Sequence, residues 1–148
     1  MDNRALSTVV EKLLSLSVLV LYISLLTTVL YGNAVPTYRG AVGAELGERT
    51  LSETTARVEQ TVPPAGRASE ATRRVELPAT IDGATYRIRA DGEALVLDHP
   101  DGDIGGRTRP VVPQRVGTLT GEWTSGGPLV ITVTGNSTNL TVRLGDGR

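Results

Sequence analysis

The uncharged run of residues 13–31 limits what this chain can fold into more than any other feature. It reads LLSLSVLVLYISLLTTVLY. A helix rises about 1.5 Å per residue, so a run of this length can cross a hydrocarbon layer that is ~30 Å thick. The hydroxyls within the run can bond back to helix carbonyls; they belong to Ser15, Ser17, Ser24, Thr27 and Thr28. The alternative is a buried core helix, but no other segment could surround such a helix on all sides. We therefore predict a single membrane-spanning helix.

The residues that flank this run predict its orientation. Arg4 and Lys12 precede it, whereas Arg39 lies farther from its other end, beyond Tyr31 and Tyr38. Basic residues next to a membrane helix favour the cytoplasmic side, and tyrosines suit the membrane interface. The expected topology has a cytoplasmic N-terminus and an extracellular C-terminal domain.

Cleavage after the run is an alternative to its retention. An ordinary secretory signal has a shorter apolar run followed by a small-x-small site, and Gly32-Asn33-Ala34 could serve as that site. The length of the run, and the charges of Glu11 and Lys12 at its start, favour a helix that is retained.

The residues before the run suggest a different processing site. The sequence RALSTVVEK resembles the processing region of archaeal type IV prepilins, whose peptidase cuts after a basic residue and before a small one. The resemblance implies cleavage between Arg4 and Ala5 by a prepilin-type peptidase, so that the whole helix is kept. Type IV pilins often carry a Glu near the helix start, which pairs with a neighbour's N-terminal amine. Glu11 is the candidate, but it would be the seventh mature residue, and Val9 occupies the usual fifth position.

Other stretches extend the resemblance over most of the chain. They read VLYISLLTTVLYGNAVPTYRGAVGAELGERTL, LPATIDGATYRIR and LVLDHP. They are similar to a family of haloarchaeal pilin-like secreted proteins of unknown function. The resemblance implies a location and an architecture, and it carries no activity.

A second helical segment is expected after Pro36, which should end or kink the first helix. Residues 41–62 place apolar side chains near one face: Ala44, Leu51, Val58 and Val62. Oppositely charged residues four positions apart support the same helix: Glu45 with Arg49, and Glu53 with Arg57. Glycines should weaken its first turns and favour a bend or break there: Gly40, Gly43 and Gly47. Pro63-Pro64 should end it.

Alternating apolar residues and Asp-Gly turns predict β structure after residue 72. Two-residue turns at Asp82-Gly83 and Asp91-Gly92 would pair Leu77 with Ile88 and Ile88 with Leu95. Both hairpins then place one apolar set on one face: Val75, Leu77, Ala79, Tyr86, Ile88, Leu95 and Leu97. Pro78 suits an edge position.

A third hairpin is expected near the C-terminus. A two-residue turn at Asn136-Ser137 would pair Val133 with Leu140. Shorter strands are expected over residues 107–112 and 115–120, and Trp123 is expected to pack on the sheet. The predicted fold class is α+β, a long transmembrane helix and helical stalk followed by a small antiparallel β-rich, pilin-like head. The predicted parts are a cytoplasmic N-terminus (1–12), the membrane helix (13–32), the stalk (33–64) and the extracellular β-rich domain (65–148).

Two consecutive stretches fit the N-glycosylation acceptor pattern Asn-x-Ser/Thr. They begin at Asn136 and at Asn139. The hairpin places Asn136 at its tip, and Asn139 on the polar face opposite Thr134. The alternative is ordinary turn chemistry, since Asn favours hairpin turns.

The remaining patterns do not indicate an enzyme. The chain has no cysteine and a single histidine, His99, so we expect no zinc site. The acidic loop 98–103 lacks the spacing of a calcium loop and is expected to be a solvated turn. No nucleophile elbow or phosphate-binding loop is present, and no basic stripe suggests nucleic acid. We expect no cofactor, no metal and no catalytic residue.

These observations predict a membrane-anchored structural protein of the cell surface. It would be a pilin-like or pseudopilin-like subunit of an envelope filament or assembly. Its partners would be the lipid bilayer, the prepilin-type peptidase, and other copies or other pilin-like subunits. The alternative is a permanently anchored extracytoplasmic binding module of the cell envelope.

Overall fold

A computed structural model describes residues 3–65 and 70–147 of the chain, and at residues 3–6, 33, 34 and 36 it describes the backbone only. The chain divides into two compact units, Met1–Arg39 and Gly40–Arg148. An N-terminal helical region precedes a seven-stranded, mostly antiparallel sheet. The α+β class predicted from the sequence is confirmed.

The helical backbone passes through Pro36, so of the two predicted outcomes, an end or a kink, the end does not occur. A π-helical turn interrupts the α-helical geometry just before the proline. Helix α1 is Asn3–Val29, a single π-helical turn covers Leu30–Ala34, and helix α2 is Val35–Thr61. In the π turn, the N–H of Val35 donates to the carbonyl of Leu30. Pro36 therefore falls in the first turn of α2, where its missing N–H costs no α-helical hydrogen bond. Helix α2 ends just before Pro63-Pro64, as predicted.

Two of the glycines of α2, Gly43 and Gly47, pack closely, and the predicted break in the helix does not occur. Gly43 and Gly47 are buried. A Cβ added at Gly43 would lie 2.5 Å from Cδ1 of Ile104, and one at Gly47 would lie 3.2 Å from Cγ2 of the same residue. The absence of side chains at these positions leaves the space that Ile104 fills. The glycines cost helix propensity, and the packing of a fully buried isoleucine offsets that cost.

The buried face of α2 is only partly the predicted one. Leu51 and Val58 are buried as expected, whereas Ala44 and Val62 are half-buried. Three buried threonines complete the face, and each donates its hydroxyl to a carbonyl four residues earlier: Thr50, Thr54 and Thr61. Of the two predicted ion pairs, Glu53–Arg57 forms at 3.4 Å. No ion pair joins Glu45 and Arg49 within the described part of the chain.

The sheet has the order β1-β6-β7-β5-β2-β3-β4. Its strands are β1 (Ala71–Val75), β2 (Arg87–Asp91), β3 (Ala94–Asp98), β4 (Gly106–Thr108), β5 (Val116–Thr124), β6 (Leu129–Gly135) and β7 (Leu140–Asp146). Strands β5 and β7 are parallel, and every other neighbouring pair is antiparallel. The edges are β1 and β4.

Two hairpins form between the predicted partners, with registers that differ from prediction by two residues. Ile88 pairs with Leu97 rather than with Leu95, because the loop lies at Gly92-Glu93. Val133 pairs with Val142, because the second loop spans residues 136–139. A shift of two residues preserves the face of every side chain. The apolar face was therefore predicted correctly, although the cross-strand partners were not.

The pairing predicted around Asp82-Gly83 is wrong beyond the turn itself. Ile81 and Ala84 form an isolated bridge, and Asp82 and Gly83 both have positive φ. This is the backbone of a type I′ turn. The preceding strand β1 pairs instead with β6, for example Val75 with Leu129.

Residues 76–80 do not extend the pairing, since Pro78 cannot donate to a ladder. Ala79 is exposed rather than in the core, and Leu77 is half-buried. Strand β2 takes β5 as its second neighbour, with Ile88 opposite Trp123.

The segment predicted as strand over 107–112 is shorter, because Pro110 interrupts it. Strand β4 ends at Thr108, and Pro110 and Pro113 lie in the irregular stretch that follows. Strand β5 runs to Thr124, beyond its predicted end. Trp123 packs in the core with 1% of its surface exposed, as predicted. Its ring meets that of Tyr86 edge-on, with 5.7 Å between centroids.

Candidate functional site

Helix α1 exposes apolar side chains on every side. All described side chains from residue 7 to residue 32 are exposed. The large ones in α1 include Leu13, Leu16, Leu19, Tyr22 and Leu26. Soluble monomers rarely expose a contiguous apolar patch of more than a few hundred Å². Among the described residues, one helix is long and apolar enough to cross a membrane, and α1 is its apolar part.

Two of the five hydroxyls in the uncharged run bond to helix carbonyls as the sequence predicted. The hydroxyl of Ser17 donates to the carbonyl of Leu13 at 2.8 Å, and that of Thr28 donates to Ser24 at the same distance. Each hydroxyl thereby finds a partner within the helix, which is the condition for placing it in a medium without water. The bonds make these two positions compatible with lipid.

Charged residues lie only at the start of the helix. Glu11 and Lys12 are exposed and share a shallow surface with Thr8 and Ser15. The predicted processing positions, Arg4 and Ala5, belong to the backbone of α1. Their side chains lie outside the described set, so the structure does not test cleavage there.

The two predicted acceptor asparagines share the loop between β6 and β7. Asn136 is the first residue of this four-residue loop and not its tip, because the loop is longer than the predicted two-residue turn. Its Oδ1 accepts from the backbone N–H of Thr138 at 3.0 Å, the Thr138 hydroxyl at 2.9 Å and the Asn139 N–H at 2.8 Å. Three donors on one amide atom identify that atom as the oxygen, because an NH₂ group accepts none. Nδ2 of Asn136 is thus the outer atom of the amide, and no described residue bonds to it.

Asn139 does not lie opposite Thr134, because Thr134 pairs with Thr141. It occupies the last position of the loop, where its backbone carbonyl accepts from the N–H of Asn136 at 2.9 Å. Its side-chain oxygen would lie 2.9 Å from a Cβ placed on Gly117 of β5. Both asparagines are exposed; the side chain of Asn139 lies beside β5, whereas that of Asn136 is bonded within the loop.

A cavity of about 320 Å³ lies beside the proline-containing stretch before β5. Its walls combine apolar side chains with a few polar ones, among them Pro110, Val112, Val116, Glu93, Arg109 and Thr118. Arg109 and Glu93 form an exposed ion pair at 3.0 Å. This cavity was not predicted from the sequence, because residues 107–112 were expected to form a strand. The two prolines were the available signal.

His99 forms hydrogen bonds in a turn, and it does not form a site together with the nearby carboxylates. Its Nδ1 accepts from the N–H of Asp101 at 3.0 Å, so Nε2 carries the proton and donates to the carbonyl of Ile81 at 2.9 Å. Asp101 in turn accepts from the N–H of Asp103. No three histidine or carboxylate side chains within residues 3–65 and 70–147 come close enough to hold a metal ion.

Exposed ion pairs that the sequence pattern did not predict lie on the surface of β2, β3 and their neighbours. Arg89 binds Asp98 at 2.7 Å, and Arg107 binds Asp91. The hydrogen bond from Arg107 lowers the pKa of the Asp91 carboxyl, and the bond to Asp98 raises the pKa of the Arg89 guanidinium. Solvent screens such pairs, so each contributes little stability. They make the surface polar but balanced in charge.

Comparison with known proteins places the chain in a family without assigning an activity. Residues 1–145 match the model of a family of unknown function, DUF7266, and the chain belongs to that family. No curated protein and no solved structure matches the chain. The match includes both the apolar helix and nearly all of the second compact unit, Gly40–Arg148, which we call the β-rich unit.

Proposed function

Starting from this membership, we propose that the protein is a membrane-anchored structural subunit of the cell surface, with the pilin-like mode of assembly that its N-terminus suggests. The observation that carries the proposal is the exposure of apolar side chains around the whole circumference of α1. Burial of one large aliphatic side chain is worth about 1.5–3 kcal/mol. A helix with so many of them needs lipid or other helices around it.

The same helix can serve both environments. In the membrane its apolar surface contacts acyl chains. In an assembly, the α1 helices of several copies pack together and bury that surface against one another. The β-rich units then form the outside of the assembly. Ser17 and Thr28 fit either environment because their hydroxyls are already bonded within the helix.

The proposed topology has the N-terminus in the cytoplasm and the β-rich unit outside. Lys12 and Arg4 precede the apolar run closely, and Arg39 lies farther from its other end. Exposed Tyr31 and Tyr38 suit the outer interface. The proposed processing step cuts the bond between Arg4 and Ala5 and leaves α1 attached to the rest of the chain.

Mass spectrometry of the protein extracted from native membranes tests this proposal. The expected N-terminus is Ala5. Arg4→Gln should leave the precursor uncut, whereas the matched control Arg4→Lys keeps the basic residue and should still be cut. An intact Met1 in the wild-type protein, or a start at Val35, would contradict the proposed processing.

Assembly is tested separately, on surface material sheared from cells. The protein should be recovered in filaments or in a larger complex. Glu11→Gln should reduce that recovery and leave the membrane-bound pool unchanged, if Glu11 pairs with the N-terminal amine of a neighbouring copy. Glu11→Asp keeps the charge and should retain assembly. Equal recovery of both variants would remove Glu11 from the proposal.

The second candidate function is a permanently anchored binding module, and the cavity beside Pro110 favours it. Its volume of about 320 Å³ lies at the lower end of the usual range for ligand sites. On this reading the protein stays in the membrane and is absent from sheared material. Processing at Ala5 without any recovery in assemblies would favour the module over the subunit.

A further inference from the structure

Two consecutive acceptor patterns begin in the loop between β6 and β7, and their surroundings in the structure differ. Asn136, Ser137 and Thr138 are all exposed and lie between the strands. The second pattern begins at Asn139 and continues into β7 through Leu140 and Thr141. An enzyme acting on the folded domain therefore meets one complete pattern and only the beginning of the other.

The first pattern has its reactive groups in contact and on the surface. The hydroxyl of Thr138 donates to Oδ1 of Asn136 at 2.9 Å, so the two side chains that the pattern requires already touch. The backbone N–H groups of Thr138 and Asn139 hold the same oxygen in place. The nitrogen of the amide is left on the side away from this network. A bulky, polar substituent on that nitrogen would extend into solvent.

The second pattern is built into the sheet. Leu140 has 1% of its surface exposed and belongs to the core, and its N–H donates to the carbonyl of Arg115 at 2.7 Å. Thr141 pairs with Thr134 on one side and Thr118 on the other. Presenting Asn139 with its two following residues would require β7 to leave the interior of the sheet and expose core side chains.

We infer that Asn136, and not Asn139, accepts an N-linked glycan on the folded β-rich unit. The inference rests on the proposed function only in requiring that this unit lies outside the membrane. The donor class is a lipid-linked sugar phosphate. A bond forms between Nδ2 of Asn136 and the anomeric carbon of the sugar. The bond from that carbon to the phosphate oxygen breaks, and the phosphate leaves with the electron pair. Nδ2 loses one proton to a base.

The site is tested on the full-length protein from native membranes. Cleavage after arginine produces one peptide, residues 116–143, that contains both asparagines. Fragmentation of the intact glycopeptide locates the sugar. We expect wild-type peptide to carry it on Asn136. Asn136→Gln should abolish the modification, and Asn139→Gln should leave its occupancy unchanged.

A matched pair at position 138 separates loss of the acceptor from loss of the fold. Thr138→Ser keeps a hydroxyl and should keep the glycan, whereas Thr138→Ala removes the hydroxyl and should reduce occupancy to background. Fluorescence of Trp123 reports whether each variant is folded. Sugar on Asn139, or equal occupancy in both variants at position 138, would overturn the inference.

A separate measurement distinguishes this inference from the proposed location. The chain has no cysteine, so Thr85→Cys introduces a single thiol at an exposed position of the β-rich unit. A membrane-impermeant maleimide should label it in intact cells. Labelling together with an unmodified Asn136 overturns the glycosylation inference alone. Labelling only after lysis overturns the proposed topology, and the glycosylation inference with it.

Discussion

At the scale of single residues, Gly121 shows how closely β5 approaches β7. Its φ is +88°, and a Cβ at this position would overlap the carbonyl oxygen of Leu144 on the parallel neighbour. Backbone atoms cannot yield as a flexible side chain can. A side chain here would both strain the backbone of β5 and push the two strands apart, so only glycine fits.

We predict that Gly121→Ala lowers the free energy of unfolding by at least about 2 kcal/mol. The matched control is Gly145→Ala in β7, where φ is not positive and no atom lies within 4 Å of an added Cβ. That control should change stability by less than about 1 kcal/mol. Urea unfolding of detergent-solubilised protein, followed by the single tryptophan, measures both. If Gly121→Ala lost no more stability than this control, β5 and β7 would be able to move apart without a cost in free energy.

Tyr86 makes the stability of the folded protein fall with pH in the alkaline range. Burial, and then the negative charge of Glu53, raise the pKa of its hydroxyl to about 12; the hydroxyl donates to the carbonyl of Pro78 at 2.7 Å. The unfolded value is 10.0, so the folded state holds the proton more tightly. The stabilisation is complete below pH ~10 and is lost as pH rises towards ~12.

The variant Tyr86→Phe cannot ionise at this position, and it lacks the bond to Pro78. It should be less stable than wild type at pH 7 by about 1 kcal/mol. We predict that the difference between the two proteins shrinks from pH ~10 upwards, because only wild type loses stability through this residue. Thermal unfolding of both proteins between pH 7 and pH ~12 measures it. A constant difference across that range would contradict the role of Tyr86.

At the scale of elements, Ile104 packs against α2 where glycines leave space for its side chain. Gly40 has open space around it, whereas an added Cβ at Gly43 would press on Ile104. Alanine favours a helix over glycine by about 1 kcal/mol. Gly40→Ala should therefore stabilise the protein by up to about 1 kcal/mol. Gly43→Ala should destabilise it by about 1–3 kcal/mol, since the overpacking outweighs the gain in propensity.

A double mutant tests the cause of that loss. Ile104→Val removes Cδ1, the atom that an alanine at position 43 would meet first. The double variant should be less destabilised than the sum of its single variants, by about 1 kcal/mol. Circular dichroism and tryptophan fluorescence during urea unfolding provide the four free energies. Strict additivity would show that Ile104 is not what excludes a side chain from position 43.

The elements also show which features the sequence could predict. Alternation placed Ile88, Leu95 and Leu97 on the buried face, because that choice depends only on parity. The registers depend on loop length, and an Asp-Gly or Asn-Ser pair does not fix whether the loop begins at that pair or just after it. The partner of β1 was not predictable either, since β1 joins β6 across more than fifty residues. Local turn chemistry carries no information about that distance.

The candidate site was predictable to a similar extent. The absence of charge indicated the membrane helix α1, and the acceptor pattern indicated the loop that contains Asn136. The sequence could not separate Asn136 from Asn139, because the difference lies in the burial of Leu140 and the pairing of Thr141. The cavity beside Pro110 arises from the position of an irregular stretch against β5, which no periodicity predicts.

At the scale of the whole molecule, the two units differ in what they need for stability. All described residues of the core belong to Gly40–Arg148, from Leu51 to Leu144. The α2 helix contributes Leu51 and Val58 to that core. Two links fasten its end to the stretch before β5: the Val111 N–H donates to Glu59 at 2.6 Å, and Arg115 donates to the carbonyl of Pro63. The second unit therefore contains all of the described core.

This division predicts that residues 40–148 fold without α1. The truncated protein should be soluble without detergent, and its Trp123 should have the blue-shifted emission of a buried indole. Its free energy of unfolding should equal that of the full chain in detergent within about 1 kcal/mol, because no core residue has been removed. Full-length protein should partition into the detergent phase and the truncated protein into the aqueous phase. A truncated protein that is unfolded or aggregates would show that the β-rich unit depends on residues 1–39. Anchoring and folding would then be coupled through the helix.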